Sequence, residues 1–358
     1  MKSGVNFFPC CRPEVKSAAQ FLGEALALSE QADALGYESI KMVEHYFSPY
    51  GGYSPSPLIF LAAAAQRTEH ARLVTGAAVP AFNHPLKLAA ELAMVDCISG
   101  GRLDVGFARA FLPHEFDAFG VSMEDSRARF EEGIEAILRL WCEESVDFDG
   151  RFHSFEGVSL LPKPVQSPHP PVRVAAVSTP ESFTWAGEQG FGLMVVPYLS
   201  DFENLATLLE SYRGAYRGAR GSEPPPVSIV LHMLAAATDA QAREDARSGI
   251  EQYVSMAKDA TVAWSGRSSP QYRGYDKVYS TLEAMTFDRV LDEGRALIGS
   301  PETIGRRLEE LLALFGPMGL ECNVLFGELE HEKAERSIEL YGREVLPELA
   351  RRDAALAV

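Results

Sequence analysis

The chain has 358 residues, of which 46% are hydrophobic and 23% are charged, which excludes a disordered, collagen-like or disulfide-scaffold protein. Acidic residues outnumber basic ones by 50 to 33, and the resulting formal charge of −17 disfavours binding to nucleic acid. The five cysteines lack paired CxxC spacing, so we expect no zinc or other metal site. Since no run of 18 apolar residues occurs, we expect no membrane span and a cytoplasmic location.

Short apolar, often β-branched runs alternate with amphipathic stretches along the whole chain. The predicted strands are Gly4–Phe8, Ser39–Glu44, Ala71–Val79, Arg102–Phe107, Val172–Ala176, Gly192–Val196, Val227–Ala236 and Cys322–Gly327. The predicted helices include Ala18–Leu35, Ser56–Thr68, His84–Ile98, Ser126–Trp141, Pro180–Gln189, Phe202–Arg217 and Pro301–Phe315. Regular alternation of strands and helices predicts βα units and a parallel sheet.

Such a sheet can stay open or close into a barrel. An open, doubly wound sheet usually carries a glycine-rich turn after its first strand, but the segment Pro9–Pro13 contains no glycine. Eight βα units instead fit a (β/α)8 TIM barrel, in which the extra residues form insertions. We therefore predict one α/β domain over residues 1–358, with insertions at Glu143–Pro171 and, between strands seven and eight, at residues 238–300. The polar segment Trp264–Leu291 of the second insertion is predicted to be a lid over the active site.

Functional side chains of such barrels lie at the carboxyl ends of the strands. His45 follows the second predicted strand, where an imidazole can transfer protons near neutral pH. Gly76 and Ala77 follow the third strand, and their small side chains leave room for a flat ligand against the backbone. The alternatives are a hydrogen-bonded structural histidine at position 45 and, for Gly76 and Ala77, a strand packed closely under a helix. The strand-end position favours a functional role for His45.

The fourth and fifth strands end in residues suited to binding an anion. Arg109 follows the fourth strand and Arg127 begins the next helix, and guanidinium groups bind phosphate through paired hydrogen bonds. Beyond the fifth strand, Thr179 is the predicted N-cap of a helix that starts at Pro180. Together with Ser178 and Ser182, it provides hydroxyl groups near free backbone N–H groups. These residues predict a phosphorylated, flat ligand without naming it.

Several segments, in this order, match one known family. They are Glu44-His45-Tyr46-Phe47, Tyr53–Leu58, Asn83-His84-Pro85, Asp96–Leu103, Gly106–Arg109, Phe119-Gly120, Ser126-Arg127, Ser178–Ser182 and Gly299–Thr303. On these motifs, the chain resembles the bacterial luciferase-like flavin-dependent monooxygenases along nearly its whole length, including the luciferase catalytic subunit.

The resemblance implies a (β/α)8 barrel enzyme that receives reduced FMN (FMNH2) from a separate NAD(P)H:flavin reductase. In this family, O2 adds to the flavin C4a carbon, and the resulting C4a-peroxyflavin oxygenates a small organic substrate. A biosynthetic intermediate or an aldehyde is the implied substrate, and pairing of two copies through helices near strands two and three implies a homodimer.

The same resemblance implies roles for individual residues. His45 would act near the flavin peroxide, Glu44 would support the ring pocket, and Phe111 would touch the ring. The resemblance also implies a cis peptide bond between Gly76 and Ala77, and it places Ala108 where luciferase has a cysteine. The implied phosphate site consists of Arg109, Arg127, Thr179 and Ser182, with Ser178 adjacent. Two departures, Tyr46 for a second histidine and Pro197 for a pocket tryptophan, argue against a long-chain aldehyde and light emission.

Two alternatives remain open at this point. One is an oxidoreductase of the same fold that uses the deazaflavin F420 as a hydride carrier, and the other is a non-catalytic flavin-binding protein. Dependence on O2 distinguishes the monooxygenase from the F420 enzyme.

Overall fold

Parallel strands form a closed barrel at the centre of the molecule. The structure is a computed structural model that describes residues 1–199, 201–267 and 269–356. The strands are β1 Ser3–Phe7, β2 Ser39–Met42, β3 Arg72–Thr75, β4 Leu103–Phe107, β5 Val146–Asp149, β6 Ser154–Val158, β7 Val172–Ala176, β8 Gly192–Val195, β9 Val227–Ala235, β10 Ala296–Gly299 and β11 Met318–Leu325. Neighbours around the barrel follow the order β1, β2, β3, β4, β7, β8, β9, β11, and β11 pairs with β1. The predicted (β/α)8 TIM barrel is confirmed.

Helices surround this barrel. They are α1 Ala18–Ala34, α2 Pro57–Ala65, α3 Pro85–Ile98, α4 Pro113–Phe119, α5 Ser126–Cys142, α6 Pro180–Glu188, α7 Phe202–Arg220, α8 Asp239–Thr261, α9 Val278–Glu283, α10 Phe287–Asp292, α11 Pro301–Phe315, α12 His331–Leu340 and α13 Leu346–Leu356, with a π-helical turn at Tyr341–Val345. Five of the described helices begin with proline, whose fixed φ and missing N–H suit the first helical position. No described helix combines the length and the apolar character needed to cross a membrane.

The core lies between the barrel wall and the helices. All residues of β1 and β4 are buried, as expected for parallel strands that are covered on both faces. Helix α1 buries Phe21, Ala25, Leu28 and Ala32, and these three- and four-residue spacings place one apolar stripe toward the sheet.

The predicted and observed strands differ at several places. Strand β3 ends at Thr75 rather than Val79. The Thr75 hydroxyl accepts from the Gly106 N–H and donates to the Gly106 carbonyl, each at 2.8 Å, and the same carbonyl also accepts from the Ala78 N–H. Strand β11 begins at Met318, before the predicted Cys322. Strand β10 was not predicted; it pairs with β9 inside the second insertion. The first insertion forms the antiparallel hairpin β5–β6.

Candidate functional site

A cavity opens at the carboxyl ends of the barrel strands and brings together most of the predicted site residues. Those that line it are Glu44, His45, Gly76, Ala77, Ala108, Arg109, Phe111, Thr179 and Ser182. Arg127 stands behind this lining and donates a 3.4 Å hydrogen bond to the Ser182 hydroxyl. Ser178 is half-buried and, unlike its neighbour Thr179, does not line the cavity.

His45 is held by a buried acid that the sequence analysis did not select. Its Nδ1 lies 3.0 Å from Oε1 of Glu115, whose side chain is 1% exposed. The same oxygen accepts a 2.9 Å hydrogen bond from the backbone N–H of Tyr46. A carboxylate at Nδ1 favours the tautomer with the proton on that nitrogen, so Nε2 is the nitrogen that can exchange a proton with a ligand.

Glu44 connects the end of β2 to the loop after β3. Its carboxyl group accepts hydrogen bonds from the Tyr46 hydroxyl at 2.6 Å, the Val79 N–H at 3.3 Å and the Asn83 amide at 3.3 Å. Burial raises the pKa of Glu44 to about 8, because these three donors only partly replace the lost hydration of the charged form. Glu44 therefore carries a proton over much of the neutral pH range, and its hydrogen bonds with Val79 and Asn83 stabilise the loop beside the cavity.

A shelf of small residues lies beside His45. The peptide bond between Gly76 and Ala77 is cis, as the resemblance implied. A Cβ atom on Gly76 would lie 2.5 Å from Cε of Lys41, so only glycine lets the backbone lie this close to the lysine stem. Burial lowers the pKa of this cavity-lining lysine to about 8, against the opposing effect of Glu321. The shelf can therefore support a flat ring directly against the backbone.

A cationic pocket lies at the edge of the cavity formed by β4 and α6. Arg109 donates through Nη2 to the Gln271 carbonyl at 2.9 Å, whereas its buried Nη1 has no hydrogen-bond partner among the described residues. Burial, and more weakly the neighbouring charge of Arg127, lower the pKa of Arg109. Thr179 is the N-cap of α6, but its side chain does not cap the helix. Two guanidinium groups, two hydroxyl groups and a helix N-terminus form a site that can hold a phosphate group.

The second insertion covers this pocket, apart from Ser268, which lies outside the described residues. The Trp264 indole donates to the Phe111 carbonyl at 3.0 Å, and the Tyr272 hydroxyl donates to the Ala110 carbonyl at 3.1 Å. The Arg109 guanidinium lies 4.6 Å from the centre of the Tyr272 ring. Ala110 itself has a φ of 58°, which residues with side chains seldom adopt. The loop after β4 and the insertion thus close together over the cavity.

Glu115 is not predicted as a site residue, because it lies in the first turn of α4 rather than directly after a strand. The signal that could have found it is an acidic residue just after a strand-end loop, at the start of α4. Within the described residues, no group of three or more His, Cys, Asp or Glu side chains is arranged to hold a metal ion.

The fold and the cavity define a class of protein. It is a (β/α)8 barrel with a cavity at the carboxyl ends of its strands, and this cavity contains a cationic pocket, a flat shelf and a histidine. The model of the luciferase-like monooxygenase family matches residues 1–316. The chain belongs to the luciferase-like monooxygenase family.

Two relatives with more than 30% identity are described as monooxygenases. The solved structure of monooxygenase RslO1 from Streptomyces bottropensis is 42% identical, with a TM-score of 0.88, and the match covers 98% of this chain and 100% of that one. The oxygenase component of the flavin-dependent trigonelline monooxygenase from Acinetobacter baylyi is 33% identical over 226 residues, which are 63% of this chain and 62% of that protein.

More distant structures share the fold. The oxygenating constituent of 3,6-diketocamphane monooxygenase from Pseudomonas putida, solved with FMN, is 21% identical with a TM-score of 0.79, covering 97% of this chain and 98% of that one. A coenzyme F420-dependent tetrahydromethanopterin reductase from Methanopyrus kandleri is 20% identical with a TM-score of 0.71, covering 97% and 99%. At these identities the likeness shows the barrel alone.

Proposed function

We propose that the chain is the oxygenase component of a two-component monooxygenase that uses reduced FMN and O2 to oxygenate a small organic substrate. The observation that carries this proposal is the unpartnered, buried Nη1 of Arg109 beside Thr179 and Ser182, in a pocket continuous with the Gly76-Ala77 shelf. A buried donor without a partner costs roughly 1–3 kcal/mol, and a phosphate oxygen would satisfy it.

The residues present fit a bound FMN. Arg109, Thr179 and Ser182 would hold its phosphate, with Arg127 supporting Ser182 from behind, while Ser178 would act only through its neighbours. The shelf at Gly76 and Ala77, with Ala108 and Phe111 beside it, would support the isoalloxazine ring. When bound, reduced FMN would supply the two electrons that activate O2.

Within that site, His45 would accept or donate the proton that accompanies oxygen transfer, through Nε2. Glu115 would fix the tautomer and orientation of the imidazole. The packed rings of Trp264, Tyr272 and Tyr275, all buried, would exclude water, which protects a reactive oxygen species from side reactions.

The partners follow from the same proposal. A separate NAD(P)H:flavin reductase would deliver the reduced flavin, which is supported by the description of the trigonelline relative as an oxygenase component. We further propose that the chain is a cytoplasmic homodimer and that residues 1–358 form one domain with a lid within residues 238–300.

The cofactor is tested by anaerobic titration of the protein with reduced FMN, reduced riboflavin and reduced F420. Because a charged hydrogen bond contributes roughly 1.5–3 kcal/mol, we expect FMN to bind about 10- to 100-fold more tightly than riboflavin. Arg109→Ala should weaken FMN binding and leave riboflavin binding nearly unchanged. Arg67→Ala, an exposed arginine, is the control. Tighter binding of F420 than of FMN would overturn the proposal in favour of hydride transfer.

A further inference from the structure

A layer of polar side chains crosses one side of the cavity and takes no part in the proposed flavin site. In the pairing register, Asn6 of β1 is opposite Asn323 of β11, and Asn323 is opposite His232 of β9. Paired residues of parallel strands present their side chains to the same face, and all three residues line the cavity. Tyr198, which follows β8, lines it too and places its ring 5.1 Å from that of His232. We call Asn6, His232, Asn323 and Tyr198 the polar subsite.

Each member of the polar subsite carries a buried polar atom without a hydrogen-bond partner in the described chain. These atoms are Oδ1 of Asn6, Nδ1 of His232, Oδ1 of Asn323 and the hydroxyl oxygen of Tyr198. The four side chains are at most 3% exposed. Buried polar groups are nearly always hydrogen-bonded in folded proteins, so four such atoms in one cavity wall indicate a polar group that the ligand provides.

The hydrogen-bond roles of these atoms follow from one contact. The Asn323 amide nitrogen lies 2.9 Å from Nε2 of His232, and burial lowers the pKa of His232 to about 3, so the ring is neutral. Because Nε2 accepts from the amide, the imidazole proton is on Nδ1, which becomes a free donor. The Oδ1 atoms of Asn323 and Asn6 are free acceptors. One neutral donor beside two neutral acceptors is complementary to a hydroxyl group, which both accepts and donates.

Aromatic rings form the walls above this layer. Tyr253 contacts His232 at 4.3 Å and Tyr198 at 5.4 Å between ring centres. Phe8 packs against Tyr50 at 4.6 Å and against Tyr253 at 5.8 Å. All of these residues line the cavity. Aromatic faces and edges prefer aromatic partners in stacked or edge-on contact.

The position of the polar subsite separates it from the proposed cofactor. The cationic pocket and the shelf are at the ends of β3, β4 and β7, whereas Asn6, His232 and Asn323 are on β1, β9 and β11, across the barrel. Lys41 of β2 is opposite Asn6 in the pairing register. Because the Lys41 side chain packs under Gly76, we count it as part of the shelf.

We infer that the polar subsite binds the hydroxyl group of an aromatic substrate, a phenol or naphthol, whose ring lies between the tyrosines. This inference rests on the proposed function, because it assigns the substrate side of the same cavity. The hydroxyl would donate to an asparagine Oδ1 and accept from Nδ1 of His232, and Tyr198 would contribute a second hydroxyl contact.

The test uses three probes of similar shape on the full chain with FMN present. They are 2-naphthol, 2-methylnaphthalene, which lacks the hydroxyl, and decahydro-2-naphthol, which lacks the aromatic ring. Dissociation constants are measured by equilibrium dialysis. From the typical energy of a buried hydrogen bond, which 2-methylnaphthalene loses, and of an aromatic contact, which decahydro-2-naphthol loses, we expect 2-naphthol to bind about tenfold more tightly than either analogue. This comparison requires no variant and is independent of how any substitution folds.

Asn323→Leu and His232→Phe should each reduce the preference for 2-naphthol over 2-methylnaphthalene to less than about threefold. Asn204→Leu, at an exposed position on α7, should leave it unchanged. Equal binding of the three probes, or a preference that survives both cavity substitutions, overturns the inference. A large loss of FMN affinity in either variant also overturns the inference, because it would show that the polar subsite binds the cofactor. A wild-type protein that binds 2-naphthol selectively but does not bind FMN would support the inference and contradict the proposed function.

Discussion

Two buried carboxyl groups next to His45 differ in what surrounds them. Glu115 accepts from the His45 imidazole and from one backbone N–H, so it is placed to orient that ring. Glu44 instead accepts from Tyr46, Val79 and Asn83, and its contacts brace the backbone around the cavity. At the residue scale, we therefore expect Glu115 to affect the reaction through His45, and Glu44 to affect it through the shape of the site.

His45→Ala is expected to keep the affinity for reduced FMN within about twofold and to lower product formation at least 100-fold, the usual size of a general acid–base contribution. The measurement pairs an anaerobic flavin titration with a reductase-coupled assay of ¹⁸O2 incorporation into a test compound that the wild type oxygenates. His70→Ala, at an exposed histidine, is the control. Weak flavin binding with normal turnover per bound flavin would contradict this role.

Glu44 should make stability depend on pH. Its folded-state pKa of about 8 is above the ordinary value, so the folded protein binds a proton that the unfolded chain has released, and stability falls as pH rises toward 8. Between pH 6 and 8 the loss is at most about 3 kcal/mol, since one pKa unit corresponds to about 1.4 kcal/mol. Glu44→Gln, which mimics the protonated acid, should show a smaller decrease in urea unfolding experiments. An identical pH dependence in the two proteins would show that Glu44 is ionised in the fold.

Most of the candidate site could be predicted because its residues follow strands in sequence. His45, Arg109 and Thr179 are at strand ends, and the barrel brings all such ends to one face. Glu115 could not be found in this way, because its partner His45 is 70 residues away and α4 sets the contact. Asn6, His232 and Asn323 are within strands, where only the pairing register brings them together.

At the scale of elements, the second insertion forms the roof of the cavity. Trp264→Ala removes a fully buried side chain and the hydrogen bond to Phe111, a change that typically costs about 3–5 kcal/mol in a core. We expect the loss to loosen the insertion, so that trypsin cleaves it faster and the oxygenated flavin decays faster. Tyr279→Ala, at a half-buried position on α9, is the control. Unchanged cleavage and decay would contradict a covering role for this segment.

Prediction of the elements succeeded where the sequence pattern is long and regular. The eight barrel strands are apolar runs separated by amphipathic helices, and parallel pairing requires that alternation. Strand β10 is only four residues long and is inside an insertion, where no βα repeat predicts it. At the early end of β3, the Thr75 hydroxyl bonds to Gly106 of the next strand, and such tertiary contacts are not encoded by local propensity.

At the scale of the whole molecule, apolar side chains on α2 and α3 support the proposed homodimer. Ile59 is 76% exposed, Met94 52% and Ile98 39%, and the two helices follow β2 and β3 directly. Ile59→Glu combined with Met94→Glu should convert a dimer to a monomer in size-exclusion chromatography with light scattering, because unpaired charges are not tolerated at a buried interface. Leu314→Glu on α11, also an exposed apolar position, should leave the dimer intact. A wild-type monomer at micromolar concentration would refute the dimer.

We propose that this cavity protects the reaction of reduced flavin with oxygen. The most direct measurement mixes anaerobic protein with photoreduced FMN, admits O2 and follows the absorbance spectrum by stopped flow. We predict a long-lived absorbance that is blue-shifted from oxidised FMN, followed by slow return of the oxidised spectrum. Return of oxidised FMN at the rate seen in free solution would contradict a protective role for the cavity.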